Sequence, residues 1–437
     1  MMFINLPPNV RSGPSPLTVT TAQPEQPVPT TKDPLSRWFH IAFLDLFLAA
    51  IIGVVLRGLF IWEIPLVRFR PWLHGHSHAA LLGWLFIGTV VVLIHDGGHG
   101  TLTNGLRYLL RGLQGAVLLM LISFPVQGYG VVSISASTAH MVLAFWVLAI
   151  LWRTSRSWPS TGSGSLTRWA IVLFGLSTLG VLAIGPIIAT GNQGKEIYYW
   201  AVQFFLHFQF NGWFWFAAMA IGARWAERQG FQLHMDRLTL ALWIASAMLT
   251  YALAIAWSEP HPAVFATVSV AVALQVWAAV RTLALLRRFE ASAHDQLPKW
   301  ARVLVGIALV SMALKVLVQA SVAVPSVAVM AFTIRHYVMG FIHLNTLGTM
   351  TMLLLAYAVV YTWCDLRQGL ARMGLGLLIA GILLSELLLF VQGTFFRAGW
   401  GMISGHYWHM FLASALMPCG VGLMLLSSVR ATVQVRS

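Results

Sequence analysis

The chain has 437 residues, of which 58% are hydrophobic and only 9% charged, with a formal charge of +14 at pH 7. Soluble domains carry roughly 25% charged residues, so water is not the main solvent of this protein. The basic charge does not indicate nucleic acid, because the 27 Lys and Arg residues sit mostly in alternate loops between long apolar runs.

The first 36 residues hold Pro7, Pro8, Pro14, Pro16, Pro24, Pro27 and Pro34 among Thr, Ser and Gln, without the apolar run of a signal peptide. This composition predicts a disordered cytoplasmic tail over 1–36. Beyond it, a helix needs ~20 mostly apolar residues to cross ~30 Å of hydrocarbon. Twelve stretches qualify: 39–63, 72–95, 106–127, 130–152, 168–190, 198–223, 237–257, 262–286, 299–322, 333–362, 371–395 and 405–428. The expected fold is an all-α polytopic membrane protein, with a twelve-helix transmembrane domain over 37–430 and a short cytoplasmic tail over 431–437.

With the N-terminus in the cytoplasm, twenty Lys and Arg fall in the tail, the loops after even-numbered spans and the C-terminus. Only five, Arg68, Arg70, Lys195, Arg335 and Arg397, fall on the opposite side. That bias predicts both termini in the cytoplasm of a bacterial-type inner membrane.

Taken along the chain, span 2 carries His74, His76 and His78, span 4 His140, span 6 His207, span 10 His336 and His343, and span 12 His406 and His409. All lie on even-numbered spans, so nine histidines share the outer half of the bilayer, down to ~16 Å of depth at 1.5 Å per residue. A single membrane histidine can do no more than hydrogen-bond a neighbouring helix. A whole layer points instead to haem or copper, since neutral imidazole is the commonest metal ligand and helical bundles build such sites from facing helices. Covalent c-type haem is excluded: Cys364 and Cys419 are far apart and form no CxxCH motif. His40, His95, His99, His234, His261 and His294 fall at span ends or in loops, where an interfacial structural role is expected.

Other charges at membrane depth are few. Lys315 on span 9 and Glu386 on span 11 lie at similar depth and are expected to pair, and Asp45 is the only other acidic group well inside a span. An acidic proton path from the cytoplasm, and energy-conserving pumping, therefore lack support. Most of the 19 Trp and 25 Phe belong to interfacial belts and the core, and only the run Trp213, Phe214, Trp215 and Phe216 beside His207 is a candidate pocket lining.

The run His76-Ser-His78-Ala-Ala-Leu-Leu-Gly83-Trp84 resembles the second helix of subunit I of the haem-copper oxidase superfamily, where a histidine at the outer end ligates the low-spin haem. Gln203-Phe-Phe-Leu-His207-Phe-Gln209-Phe-Asn211-Gly212-Trp213 is similar to the helix that brings the first copper ligand. Arg335-His336-Tyr-Val-Met-Gly340-Phe341-Ile-His343-Leu-Asn345 resembles the helix with the second low-spin ligand, and Gln392-Gly393 to Arg397 the arginine segment near the haem propionates. The likeness runs through all twelve spans in order.

That resemblance implies a low-spin b haem with His76 and His343 as axial ligands and Arg335 and Arg397, or Arg57 one layer down, at its propionates. The chain departs from the family where the first histidine of the tenth helix is replaced by Phe341, and where span 7, from Leu238 to Trp257, lacks the copper-binding pair. The residual set His140, His207, His336 and His409 is a candidate for copper or a second haem, and His406 and His409, with Met410 nearby, could clamp a metal. The implied activity is respiratory or nitric-oxide-related electron transfer, served by a donor such as a cytochrome c or quinol and by further membrane subunits. A non-catalytic relay or gas sensor, and a metal or haem transporter or assembly factor, are the alternatives. A transporter would place ligands at several depths, and these occupy one layer. No Walker loop or hydrolase elbow argues for other chemistry.

Overall fold

A computed structural model describes residues 33–97, 102–231, 233–293 and 296–434. Among these residues eleven helices are long and apolar enough to cross a membrane. They are α1 (Pro34–Gly58), α2 (Phe69–Asp96), α3 (Asn104–Gln127), α4 (Val131–Ser155), α5 (Ser163–Ala189), α7 (Arg237–Ala254), α8 (Pro262–Arg287), α9 (Lys299–Ser321), α10 (Arg335–Val360), α11 (Gly369–Arg397) and α12 (His406–Val429). Between α5 and α7 runs a further continuous helix, α6 (196–228). Its middle carries Gln203, His207, Gln209 and Asn211, polar groups that lower its hydropathy below that of the other eleven. The protein is thus an all-α polytopic bundle, and among the described residues its twelve long helices follow the order the sequence predicts.

Helix ends follow local chemistry. Asp33 caps α1 by accepting from the Leu35 amide at 2.9 Å, and Pro34 sits at the first helical position, where its missing N–H costs nothing. The first helix therefore begins at Pro34, inside the stretch 1–36 expected to be a tail; residues 1–32, His99, His294 and residues 435–437 lie outside the described residues. At the other end the helix that contains α12 continues to Gln434, into the stretch expected to be a tail. A short helix, Pro325–Thr333, precedes α10 and is broken from it at Ile334, whose backbone is extended.

The helices α2 and α10 form the centre. Their apolar windows are 72% and 67% buried, against 28–39% for the other nine. Trp84 of α2 donates its indole N–H to Thr351 of α10 at 2.8 Å, wholly inside the bundle. A polar bond at such depth fixes the two helices in register, because its partners would otherwise lie unsatisfied in apolar surroundings.

Three stretches wind as π-helix: Ala79–Ile87 in α2, Gln209–Trp213 in α6 and Leu344–Thr351 in α10. Each follows a histidine at once or within two residues: His78, His207 and His343. Such insertions re-aim neighbouring side chains and free backbone carbonyls, which is why they gather at functional sites. In α10 the freed carbonyls are taken by side chains: Asn345 bonds the Phe341 carbonyl at 2.6 Å and Thr351 the Thr346 carbonyl at 2.9 Å. In α2 the π-segment includes Gly83, against which Asp45 of α1 packs so closely that a Cβ there would lie 2.7 Å from its Oδ2.

Candidate functional site

His76 projects from α2 onto α1. Its Nδ1 donates to the Ala49 carbonyl at 2.8 Å, and its ring lies so near α1 that a Cβ on Gly53 would come within 3.2 Å of the His76 Cε1. On α10, His343 turns its Nδ1 to Oε1 of Glu386 on α11, at 3.5 Å. Electrostatic interaction links His76 with His343 and Arg57, and Arg57 in turn with Arg335 and Glu386. Four central elements thus bring together the two expected haem ligands, one expected arginine, the deeper Arg57 and an acid not foreseen there.

The donor chemistry of this group fits a b haem. Both Nδ1 atoms face oxygen, so the ring proton belongs on that side and the lone pair on Nε2, the tautomer a metal ligand requires. Both residues are half-buried among the central helices. Two neutral imidazoles from facing central helices are the donor set of a six-coordinate haem. The arginines divide. Arg335 lies with its guanidinium 5.9 Å from the Phe69 ring centre, close to Arg57, whereas Arg397 is exposed at the end of α11 and makes no ion pair among the described residues. Between them, Gln392 bonds the Gly401 carbonyl and the Ile403 amide, both at 3.0 Å, and so pins the loop from α11 to α12.

The other histidines do not converge. His140 is buried edge-on to Phe86, ring centres 5.4 Å apart, with no hydrogen bond to its Nε2, and it interacts electrostatically with His78. His78 bonds the His74 carbonyl at 2.8 Å and stacks on Phe124, while His74 packs on Tyr129. His207 uses both nitrogens: Nε2 donates to the Ala247 carbonyl at 2.8 Å and Nδ1 accepts from Asn211 at 3.3 Å. His336 faces His406, ring centres 5.4 Å apart, and His409 lies beside Gly405, within electrostatic range of His406. Among the described residues no three His, Cys, Asp or Glu side chains group around a metal-sized point.

Two expectations change. Lys315 does not pair with Glu386: its Nζ lies 4.1 Å from the ring centre of Trp215, while Glu386 meets His343. The reason is that α9 packs on the later half of α10 and α11 on the earlier half, so the two side chains meet different neighbours. The run Trp213 to Phe216 packs into the core, Trp213 against Phe86 and Phe174 and Trp215 against Trp243, rather than lining a space beside His207.

At the opposite end of α2 lies a polar network absent from the sequence reading. Tyr357 and Arg228 both donate to Oδ1 of the buried Asp96, at 2.9 and 3.0 Å, and Arg224 bonds the Asp96 carbonyl at 3.2 Å. His95 bonds the Tyr357 hydroxyl and reaches Asp33 Oδ2 at 3.3 Å. Burial and the nearby Asp96 charge push the Tyr361 phenol, just past the end of α10, up to about 12. The signal that could have found it is the cluster of two arginines, Arg224 and Arg228, at the end of a span opposite a terminal aspartate.

No protein-family model matches the chain, and no curated protein matches it. Among solved structures it is similar to a haem-copper terminal oxidase dimer determined by cryo-EM, with a TM-score of 0.66 and 11% identity over 91% of this chain and 84% of that chain. The protein has the fold of that oxidase, an all-α polytopic bundle of the subunit I type, and the resemblance drawn from its motifs holds at the level of fold.

Proposed function

We propose that this is a haem-binding membrane protein of the oxidase fold, carrying electrons through one low-spin b haem ligated by His76 and His343. The observation that carries this reading is the pairing of two central histidines whose Nδ1 atoms are both directed to oxygen, at Ala49 and Glu386. Held by His76 and His343, a haem would supply a one-electron couple suited to electron transfer rather than gas activation. The protein contributes the rest. The Ala49 carbonyl and the close passage of Gly53 hold the His76 ring, and Arg57 with Arg335 provides positive charge for propionates through charge-assisted hydrogen bonds, with Arg397 further out.

Copper or a second haem would have to use His140, His207, His336 and His409, and His207 would have to give up one of its two hydrogen bonds. This supports the relay more than a two-metal reaction centre. The proposed setting is a bacterial-type inner membrane with both termini cytoplasmic, a cytochrome c or quinol as donor, and further membrane subunits. The test is a reduced-minus-oxidised spectrum with pyridine haemochrome and copper analysis on purified protein. One b haem whose sharp bands vanish in His76→Ala and His343→Ala supports the reading; a wild type without haem overturns it.

A further inference from the structure

We infer that Glu386 is a positioning residue for His343, its carboxylate taking the ring's Nδ1–H so that the ligand gains imidazolate character and the haem's reduction potential is held down. This rests on the proposed role of His343 as an axial ligand. His343 Nδ1 and Glu386 Oε1 lie 3.5 Å apart, and this nitrogen and both carboxylate oxygens are buried without a completed hydrogen bond. Buried polar atoms almost always have partners, and here the acid and the ring present their unsatisfied atoms to one another. The cation expected for Glu386, Lys315, is engaged with Trp215 instead. Arg57 is the other charge that interacts with Glu386.

The two ligands are therefore unequal. His76 gives its proton side to a neutral backbone carbonyl, whereas His343 gives its own to an acid. A carboxylate behind a ligating imidazole raises ligand basicity and favours the more positive, oxidised metal. Hydrogen bonding of this kind is one of the protein's means of setting a haem potential. Because Glu386 comes from α11 and His343 from α10, the contact also fixes the ring plane against its own helix.

The experiment is a redox titration of the purified full-length haem protein, compared with Glu386→Gln and Glu386→Asp. Glu386→Gln keeps shape and an acceptor oxygen but removes the charge. It should leave haem content unchanged and raise the ratio of reduced to oxidised haem at a fixed potential about tenfold, which for one electron is about 59 mV. Glu386→Asp should fall between it and the wild type. Full haem content with an unchanged potential in Glu386→Gln overturns the inference, because a merely structural acid would alter stability and leave the potential alone. If both variants lose haem, the ferric electron paramagnetic resonance spectrum of the wild type decides: reduced g-anisotropy indicates one imidazolate-like ligand, and the signature of two neutral imidazoles overturns the inference. A wild type without haem removes the ligand assignment itself, an outcome visible before any variant is made.

Discussion

Tyr357 of α10 donates its hydroxyl to Asp96 of α2 at 2.9 Å, and the same carboxylate oxygen takes Arg228 of α6 at 3.0 Å. One buried oxygen thus ties together the three helices that carry the π-segments. The candidate haem ligands lie near the opposite ends of α2 and α10. Tyr357→Phe keeps the ring packing on Tyr361 and Trp363 and removes the hydroxyl, which is both the donor to Asp96 and the partner of His95. Leaving a buried acceptor short of a partner costs about 1–3 kcal/mol. The expected result is a lower thermal midpoint in detergent with the haem bands, where present, unchanged at low temperature; an unaltered midpoint would show that water replaces the hydroxyl.

The bundle was legible because each span in a membrane must satisfy its own backbone and so announces itself as a separate apolar run. Even α6, too polar in its middle to stand out, has its boundaries in Glu196 and Arg228. Depth, too, could be counted from span ends, which put nine histidines in one layer; His76 and His343 were singled out among them by the family resemblance. What counting cannot supply is direction around the helix. Lys315 and Glu386 count to a similar depth from the sequence yet meet different neighbours, and the π-segments shift the facing of every residue after them by an amount no apolar pattern reveals. Asp96 escaped notice for a related reason: a polar residue at a span end reads as interfacial until partners more than 100 residues away, Arg228 and Tyr357, close over it.

Gly53 separates the two roles of α1, packing and ligand support. A Cβ there would meet the His76 Cε1 at 3.2 Å, which a small shift of the ring can relieve, but the branched side chain of valine cannot be accommodated so cheaply. Gly53→Val should therefore lower haem occupancy several-fold while the protein still extracts and migrates as a folded species. Haem-to-protein ratio by pyridine haemochrome, read beside size-exclusion behaviour, checks this. Full occupancy in the variant would mean that His76 does not need its present approach to α1.

Outside the membrane, Asp236 caps α7. Its carboxylate accepts from the Thr239 amide and hydroxyl, each at 2.9 Å, and from Arg281 of α8 at 2.8 Å. The Thr239 amide first, then Arg281, hold its pKa well below the usual carboxylate range. A depressed folded-state pKa means that the contribution is complete above the unfolded value near 3.9 and is lost as pH falls toward the folded value. Asp236→Ala should cost about 0.5–2 kcal/mol at neutral pH, the range for a lost cap. The deficit relative to wild type should shrink below about pH 4, where the unfolded carboxyl is already protonated. Thermal midpoints of both proteins from pH 7 to pH 3 measure this, and a constant deficit would assign the effect to packing rather than charge.

Lys315 and Glu386 supply the sharpest separation between reading depth and reading structure. If they paired, removing either would strand a buried charge, and removing both would recover most of the loss, because the cost of breaking a buried pair lies chiefly in the orphan it leaves. In the fold they belong to different neighbourhoods: Lys315 to Trp215 on α6, Glu386 to His343 on α10. Sites without shared partners add to within about 0.3–0.5 kcal/mol. A thermodynamic cycle of Lys315→Met, Glu386→Gln and the double variant should therefore be additive within that margin. Trp215→Leu should instead couple to Lys315→Met, since each removes one partner of the same ring–ammonium contact. Coupling beyond about 1 kcal/mol between Lys315 and Glu386 would restore the direct pair and remove the acid from behind His343.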